Sequence, residues 1–220
     1  GGVTVPDKGE PVLDVQGHYH DVRGDRAARY LPVTVIPPQG VAWLDRALVA
    51  GRVVAGELVF RGPPVDFPFD RGEGFFETRF QVEDGVLDYA PGWPRLDRLR
   101  ATVTFRNRGL RVEAESGRLV DAEMQGATAW IDDLENPVVQ VRGRAKGSSA
   151  GMWRALRDSP MGRELGDDLP ELRFTGANTL DLELTIPTDA RPNRARGRVG
   201  LLDGGLNLAN WNVELGRLRG

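Results

Sequence analysis

The side chains able to do chemistry are few in this chain, and they are poorly spaced for it. The two histidines, His18 and His20, stand two residues apart. On a strand they share a face with Asp14 and offer a cation two imidazoles and a carboxylate. A zinc centre draws on more histidine or cysteine than this, and the 220 residues contain no cysteine. Two imidazoles on the wet face of a strand is the plainer expectation. Nucleophilic catalysis lacks its parts as well. No Gly-x-Ser-x-Gly elbow is present, and Ser159-Pro160 reads as a helix stop. The adjacent carboxylates Asp132-Asp133 and Asp167-Asp168 fall in turn-like sequence, where carboxylates are solvated. Gly200 to Gly205 lacks the following helix and lysine of a phosphate loop. The tryptophans Trp43, Trp93, Trp130, Trp153 and Trp211 are dispersed, which suits corner or core packing better than a sugar-stacking platform. The expectation is a non-enzymatic chain with no cofactor and no metal.

Charge narrows the partners. Lys and Arg number 29 against 32 Asp and Glu, a net charge of -3, and the two signs are interspersed. No basic stripe is present to neutralise phosphates, so nucleic acid is not an expected partner. No apolar run approaches the roughly 18 residues of a membrane-crossing helix. No basic leader with an apolar core is visible, so a targeting segment is expected to lie outside this stretch.

What the sequence does carry is period two. Leu99, Ala101, Val103 and Phe105 alternate with Arg100, Thr102, Thr104 and Arg106. Leu180, Leu182, Leu184 and Ile186 alternate with Thr179, Asp181, Glu183 and Thr185. Such alternation marks strands with one dry and one wet face. Strands are expected from Val12 to Tyr19, Arg52 to Arg61, Phe75 to Glu83, Leu99 to Arg106, Leu110 to Glu115, Leu119 to Met124, Ala127 to Asp132 and Val138 to Lys146. Further strands are expected over 172–176, 178–186, 195–202, 205–209 and 211–215. Asp84-Gly85 reads as a hairpin turn with a strand from Val86 to Tyr89 returning from it, Ser116-Gly117 as another turn, and Asn107-Arg108-Gly109 as a third. On the strand from Arg52 to Arg61, Val54, Gly56, Leu58 and Phe60 are expected to share a side. Gln39 to Val49 reads as a helix, and Ser148 or Ser149 as the cap of a second one through Arg157. The fold class is therefore all-β with two short helices, one domain over 1–220, with neighbours in sequence paired antiparallel. The usual fate of the dry faces is a sandwich core.

The order of motifs adds to this. Tyr30-Leu31-Pro32 precedes the Trp43-Leu44 helix. There follow a strand led by Gly51, then Phe67-Pro68-Phe69, the Gly74-Phe75 strand start, Tyr89-Ala90-Pro91-Gly92-Trp93-Pro94, and Ser159-Pro160 after a helix. Over nearly its whole length this set resembles the central region of the YhdP-type, AsmA-like proteins of Gram-negative bacteria. The resemblance implies an elongated, highly curved antiparallel sheet forming an open apolar groove. It implies one module of a longer conduit in the periplasm, anchored to the inner membrane by a segment absent here. The partners implied are phospholipid acyl chains carried between inner and outer membranes, and adjacent modules of the same chain or other envelope proteins. Membranes would be reached only through terminal segments outside this stretch. The family offers no catalytic residue to carry over. The implied lining is the inward face: Leu58, Phe60, Phe76, Phe80, Val82, Val103, Phe105, Leu110, Val112, Val139, Val141, Leu180, Leu182, Leu184, Val199 and Leu201. Two other readings stand beside it, an envelope scaffold or interaction module with a closed core and a sugar-binding β-domain. Interdigitated inner faces would favour the scaffold, and an aromatic platform beside two convergent carboxylates the sugar site.

Overall fold

The computed structural model describes residues 2–4, 11–23, 38–160, 172–208 and 213–218. Eleven strands form one antiparallel sheet in strict chain order. They are β1 (Gly2–Thr4), β2 (Val12–Arg23), β3 (Leu48–Gly62), β4 (Phe75–Leu87), β5 (Leu96–Arg106) and β6 (Gly109–Leu119), followed by β7 (Ala122–Ile131), β8 (Val138–Ser148), β9 (Leu172–Pro187), β10 (Arg194–Leu208) and β11 (Val213–Leu218). Helix α1 (Pro38–Ala47) runs directly into β3, and α2 (Ser149–Arg157) continues from β8. Each strand pairs with the next in the chain, although 24 residues separate β2 from β3 and 23 separate β8 from β9. Extensive strand contacts join only such neighbours, so among the described residues no second sheet is laid over the first. The two outermost strands are not paired to each other, and the sheet stays open.

The strands are longer than the sequence punctuation predicts. Asp84-Gly85 does not reverse the chain. It is a bulge inside β4, where Val82 faces Ala101 but Gly85 faces Leu99. Ser116-Gly117 lies inside β6, which runs on to Leu119, and Gly126 lies inside β7. The segments expected at 172–176 and 178–186 form the single strand β9, and the register of β10 shifts between Leu202 and Gly205 without ending the strand. A residue with positive φ does not have to turn the chain back. When the partner strand takes up the offset, the extra residue becomes a bulge and the strand bends. Asp84 (φ 52) and Arg98 (φ 52) mark the offset on β4 and β5. On β3, Gly51 (φ 144) backs onto Gly85, and a Cβ at Gly51 would stand 3.2 Å from the Gly85 Cα. Register shifts recur at this level from β3 to β6, so the long strands bend together. Another shift, between Val53 and Ala55, brings Val53 rather than Val54 onto the face of Gly56. The true reversals include Asn107-Arg108, with Asn107 at φ 47, and Val120-Asp121, with Val120 at φ 59. At about 3.3 Å per residue, the 15 residues of β3 have a contour of about 50 Å, enough to form a wall and a floor.

The core sits on one face of β3 to β5. Val53, Phe69, Phe76, Phe80, Phe105 and Leu134 are buried together, with Tyr19, Val22, Leu58, Phe60, Phe67 and Val103 against them. Val41 and Leu44 bring α1 onto the same cluster, as their spacing predicts. Phe67 and Phe69, from the β3–β4 loop, meet Phe60 and Phe76 at ring-centroid distances of 5.3 to 5.9 Å. At the far side, Ser148 caps α2: its Oγ accepts the Gly151 N–H at 2.9 Å and donates to the Asp121 carboxylate.

Candidate functional site

Directly opposed residues of an antiparallel sheet share a face, so the register can be followed from strand to strand. One row runs Tyr19, Gly56, Phe80, Val103, Val112, Ala129, Val141, Leu184, Ala195. The next runs Val22, Val53, Val82, Ala101, Ala114, Ala127, Gly143, Leu182, Gly197. A third joins Gly117, Met124, Ala145, Leu180 and Val199. Neither a charged side chain nor an acid–base pair interrupts these rows.

Every residue of the sequence-based lining falls on this face. Leu58 lies opposite Thr78, Phe60 opposite Phe76, Phe105 opposite Leu110, Val139 opposite Ile186, and Leu201 opposite Asn178. Their surroundings differ. Phe76, Phe80 and Phe105 are shut inside the aromatic cluster, Phe105 at 2% exposure. They are the packed support of the face, and their rings are not an open surface. Val112, Val139, Val141, Leu180, Leu182 and Leu184 are half-exposed, and Val199 is 55% exposed. Among the described residues the face is filled over β2 to β5, with Leu110 and Ile131 at the margin of that packing, and is half-exposed from β6 to β10, where α2 packs against β8 and β9.

Over β6 to β8 the floor is made of small residues. Ala114, Ala127, Ala129, Gly143 and Ala145 stand where the neighbouring strands carry Phe, Val and Leu. Counting only large apolar residues misses them. The signal that finds them is the opposite parity: Arg111, Glu113, Arg142 and Arg144 claim the wet side and leave the small residues to the dry one. Tyr19 and Val53 were missed for another reason, because a bulge and a glycine partner set their positions.

The opposite face is a lattice of cross-strand ion pairs. Arg61 meets Asp14 at 3.2 Å, Arg52 meets Glu83 at 3.1 Å, Arg106 meets Glu77 at 2.5 Å, and Arg144 meets Asp181 at 2.7 Å. The Arg142 guanidinium also lies 5.6 Å from the centre of the Trp130 ring. This polar side has its own open hollow of about 970 Å³, lined by groups such as Arg79, Glu113, Arg142 and Glu183. A twisted sheet is saddle-shaped, so both faces are concave along crossed directions.

The candidates for chemistry are scattered. His18 and His20 are exposed, and among the described residues no cluster of His, Cys, Asp or Glu has the makings of a metal site. Asp133 serves its own loop, accepting the Glu135 N–H at 2.9 Å, and Asp132 accepts from Gln140. Ser159 is buried. Trp43 donates to the Tyr89 carbonyl oxygen at 3.0 Å. Asp167, Asp168, Trp211 and the Tyr30-Leu31-Pro32 motif lie outside the described residues.

The model of the family described as "YhdP protein" matches residues 1–220. The "Intermembrane phospholipid transporter YhdP" of Escherichia coli (strain K12) is 27% identical over 215 residues, which is 98% of this chain and 17% of that protein. The chain therefore spans about a sixth of that relative's length. No solved structure matches the chain significantly.

Proposed function

Because this chain belongs to the YhdP family, we propose that its uncovered apolar face holds phospholipid acyl chains as one stretch of a conduit between two membranes. The relative's printed name is that of an intermembrane phospholipid transporter. The observation that carries the reading here is the register: rows of apolar and small side chains, many of them half-exposed, continue across β6 to β10, with α2 packed against β8 and β9.

The physical task is simple to state. Each methylene in water costs about 0.8 kcal/mol, so a sixteen-carbon chain faces a barrier on the order of 12 kcal/mol in an aqueous gap. A continuous dry face lowers that barrier at every point along it. No bond is made or broken, so the role is non-enzymatic. Large residues on β9 form a wall, and the small residues of β7 and β8 leave room beside it for a chain to lie. The ion-paired opposite face keeps the strip in water. We place it in the periplasm of a Gram-negative envelope, with anchoring to the inner membrane supplied elsewhere in a longer protein. Among the described residues no helix is long and apolar enough to cross a membrane. The open sheet edges are where further sheet would join.

Leu182 tests the proposal. It lies in the second row between Gly143 and Gly197, and is half-exposed. Leu182→Glu sets a carboxylate in the path. Lipid co-purifying with the chain, extracted and quantified by mass spectrometry, is expected to fall several-fold with the circular dichroism spectrum unchanged. An equal yield of lipid from a folded Leu182→Glu variant would overturn the assignment of this face.

A further inference from the structure

Helix α2 begins on the dry side of the sheet. Asn178 of β9 stands opposite Gly147 on β8 and Leu201 on β10, so it belongs to the apolar rows. Its Nδ2 donates to the Ser149 Oγ at 3.2 Å, and Ser149 is the first residue of α2. From there the helix packs against β9 and β8. The apolar face is closed at this end and opens beyond it. Ala122 and Asn178 are 6% and 5% exposed, whereas Leu180, two residues further along β9, is half-exposed, and Val199 opposite it is 55% exposed.

What fastens the helix there is polar. Of its described residues Ser149 and Gly151 are buried, while Met152, Trp153 and Ala155 are half-buried. The Ser148 Oγ accepts the Gly151 N–H and donates to Oδ2 of Asp121, in the turn between β6 and β7. The other carboxylate oxygen of Asp121 lies against Gly151, so closely that a Cβ there would fall 1.6 Å from it. That oxygen and the Asn178 Oδ1 are both buried, and among the described residues neither has a hydrogen-bond partner. A buried acceptor without a donor raises the energy of the state that buries it, and water relieves it on exposure. The seated helix therefore carries a cost that a lifted helix does not, and its half-buried apolar side chains oppose lifting only in part.

The stretch Gly147-Ser148-Ser149-Ala150-Gly151 has the Gly-x-Ser-x-Gly spacing between a strand and a helix, but not the geometry of a nucleophile elbow. The central Ser149 faces the Asn178 amide, Ser148 serves as the cap, and both histidines lie on β2. The two serines fasten a helix.

We propose that α2 is a lid over the β8–β9 end of the apolar face, latched through Asp121 and Asn178, which lifts to admit an acyl chain. Lifting gives the two orphaned oxygens to water and bares the dry side of the sheet next to Leu180. An acyl chain that takes this strip replaces the helix as its cover. A chain lying there holds the helix away, because it binds the lifted state and not the seated one. The inference rests on the acyl-chain reading above and adds a point of entry to it.

The protein has no cysteine, so Ser149→Cys with Asn178→Cys introduces one pair that an oxidant can bridge and a reductant release. The probe is a trace of phospholipid labelled on its acyl chain with a fluorophore, presented in vesicles of phosphatidylethanolamine and phosphatidylglycerol. With the bridge confirmed by mass, the oxidised 220-residue double variant is expected to take up label several-fold more slowly than the reduced one. Equal uptake in the two states would overturn the lid. Amide hydrogen exchange supplies an arm that needs neither bridge nor lipid. The α2 amides are expected to exchange faster than those of β8 and β9. Asp121→Ala is expected to quicken 149–157 several-fold further while β8 and β9 stay unchanged, and to speed uptake of the label. Amides of α2 as slow as those of the strands beneath, or quickened by Asp121→Ala only together with those strands, would make α2 a fixed part of the fold and overturn the lid. No uptake by any form would count against the acyl-chain reading, as would an equal lipid yield from Leu182→Glu, and exchange would still decide the lid.

Discussion

The phenol ring of Tyr19 lies across Gly56, its directly opposed neighbour on β3, so closely that a Cβ on Gly56 would fall 2.3 Å from the ring. The ring covers the backbone that glycine leaves bare. Its hydroxyl is tied at 2.8 Å to the Oγ1 of buried Thr78, which in turn donates to the Glu57 carbonyl oxygen at 3.0 Å. This polar chain in the aromatic half of the face is thus anchored by one missing side chain.

Gly56→Ala therefore has to expel the ring. The expected loss is about 1–3 kcal/mol, typical of overpacking a filled site. Urea unfolding measures it. Adding Tyr19→Ala to Gly56→Ala should cost less than the sum of the two single changes, because the clash is removed with the ring.

Alkaline pH reads the same residue. Burial pushes the Tyr19 phenol up, and burial together with the Asp88 charge pushes Tyr89 up. The folded protein keeps these phenols neutral at a pH where the unfolded chain ionises them. Their contribution is intact below about pH 10 and is lost as pH rises through the folded values. Unfolding free energy measured by urea between pH 8 and 11 is expected to fall above pH 10. Tyr19→Phe and Tyr89→Phe should each flatten the fall.

The corner glycines are separable by what surrounds them. Gly51 has φ 144 and faces the Gly85 backbone, whereas Gly72 has φ 82 and nothing within 4 Å of a built Cβ. Gly51→Ala carries both backbone strain and a collision, and is expected to cost about 1–3 kcal/mol. Gly72→Ala carries only the left-handed penalty of about 1 kcal/mol. Thermal unfolding should rank the two in that order. A neutral Gly51→Ala would mean that the strands do not bend there.

Acid pH reads the loop hub at Arg108. Its guanidinium binds Asp70 and Glu135 and lies 3.6 Å from Asp133. The Arg108 hydrogen bond holds the Asp70 carboxyl below its ordinary value, and the Glu135 N–H chiefly does so for Asp133. Lowered carboxyl values contribute stability above about pH 4 that disappears as pH falls through the folded values. Arg108→Ala is expected to lower Tm at pH 7, with the gap to the parent chain closing toward pH 2. These groups are exposed, so added salt should narrow the gap at pH 7 as well.

The small-residue floor can be filled. Gly143 and Ala127 oppose each other so tightly that a Cβ on Gly143 would be 3.0 Å from that of Ala127. Ala127→Phe raises a ring into the uncovered half of the face. It is expected to reduce co-purifying lipid several-fold, while Thr128→Gln on the wet face leaves the yield unchanged.

Much of this was legible in the chain itself. The alternation of Leu180 to Ile186 with Thr179 to Thr185 put the dry and wet faces of β9 where the register has them. Helix α1 is expected at 39–49 and lies at Pro38–Ala47, and of the two cap candidates for α2, Ser148 and Ser149, Ser148 accepts the Gly151 N–H. Periodicity is local, because side-chain direction in a strand follows from the backbone alone. The corners were not local. Asp84-Gly85 and Ser116-Gly117 carry the composition of hairpin turns, and only the partner strand decides between reversal and bulge. Tertiary structure also decided which half of the apolar face is filled. Phe67 and Phe69 reach the face of β3 to β5 from the loop between β3 and β4, and Leu134 reaches the same cluster from the loop between β7 and β8, distant in sequence. An amino-acid sequence fixes the side on which a residue stands, but occupancy of the space above it depends on segments that meet only when the sheet has bent.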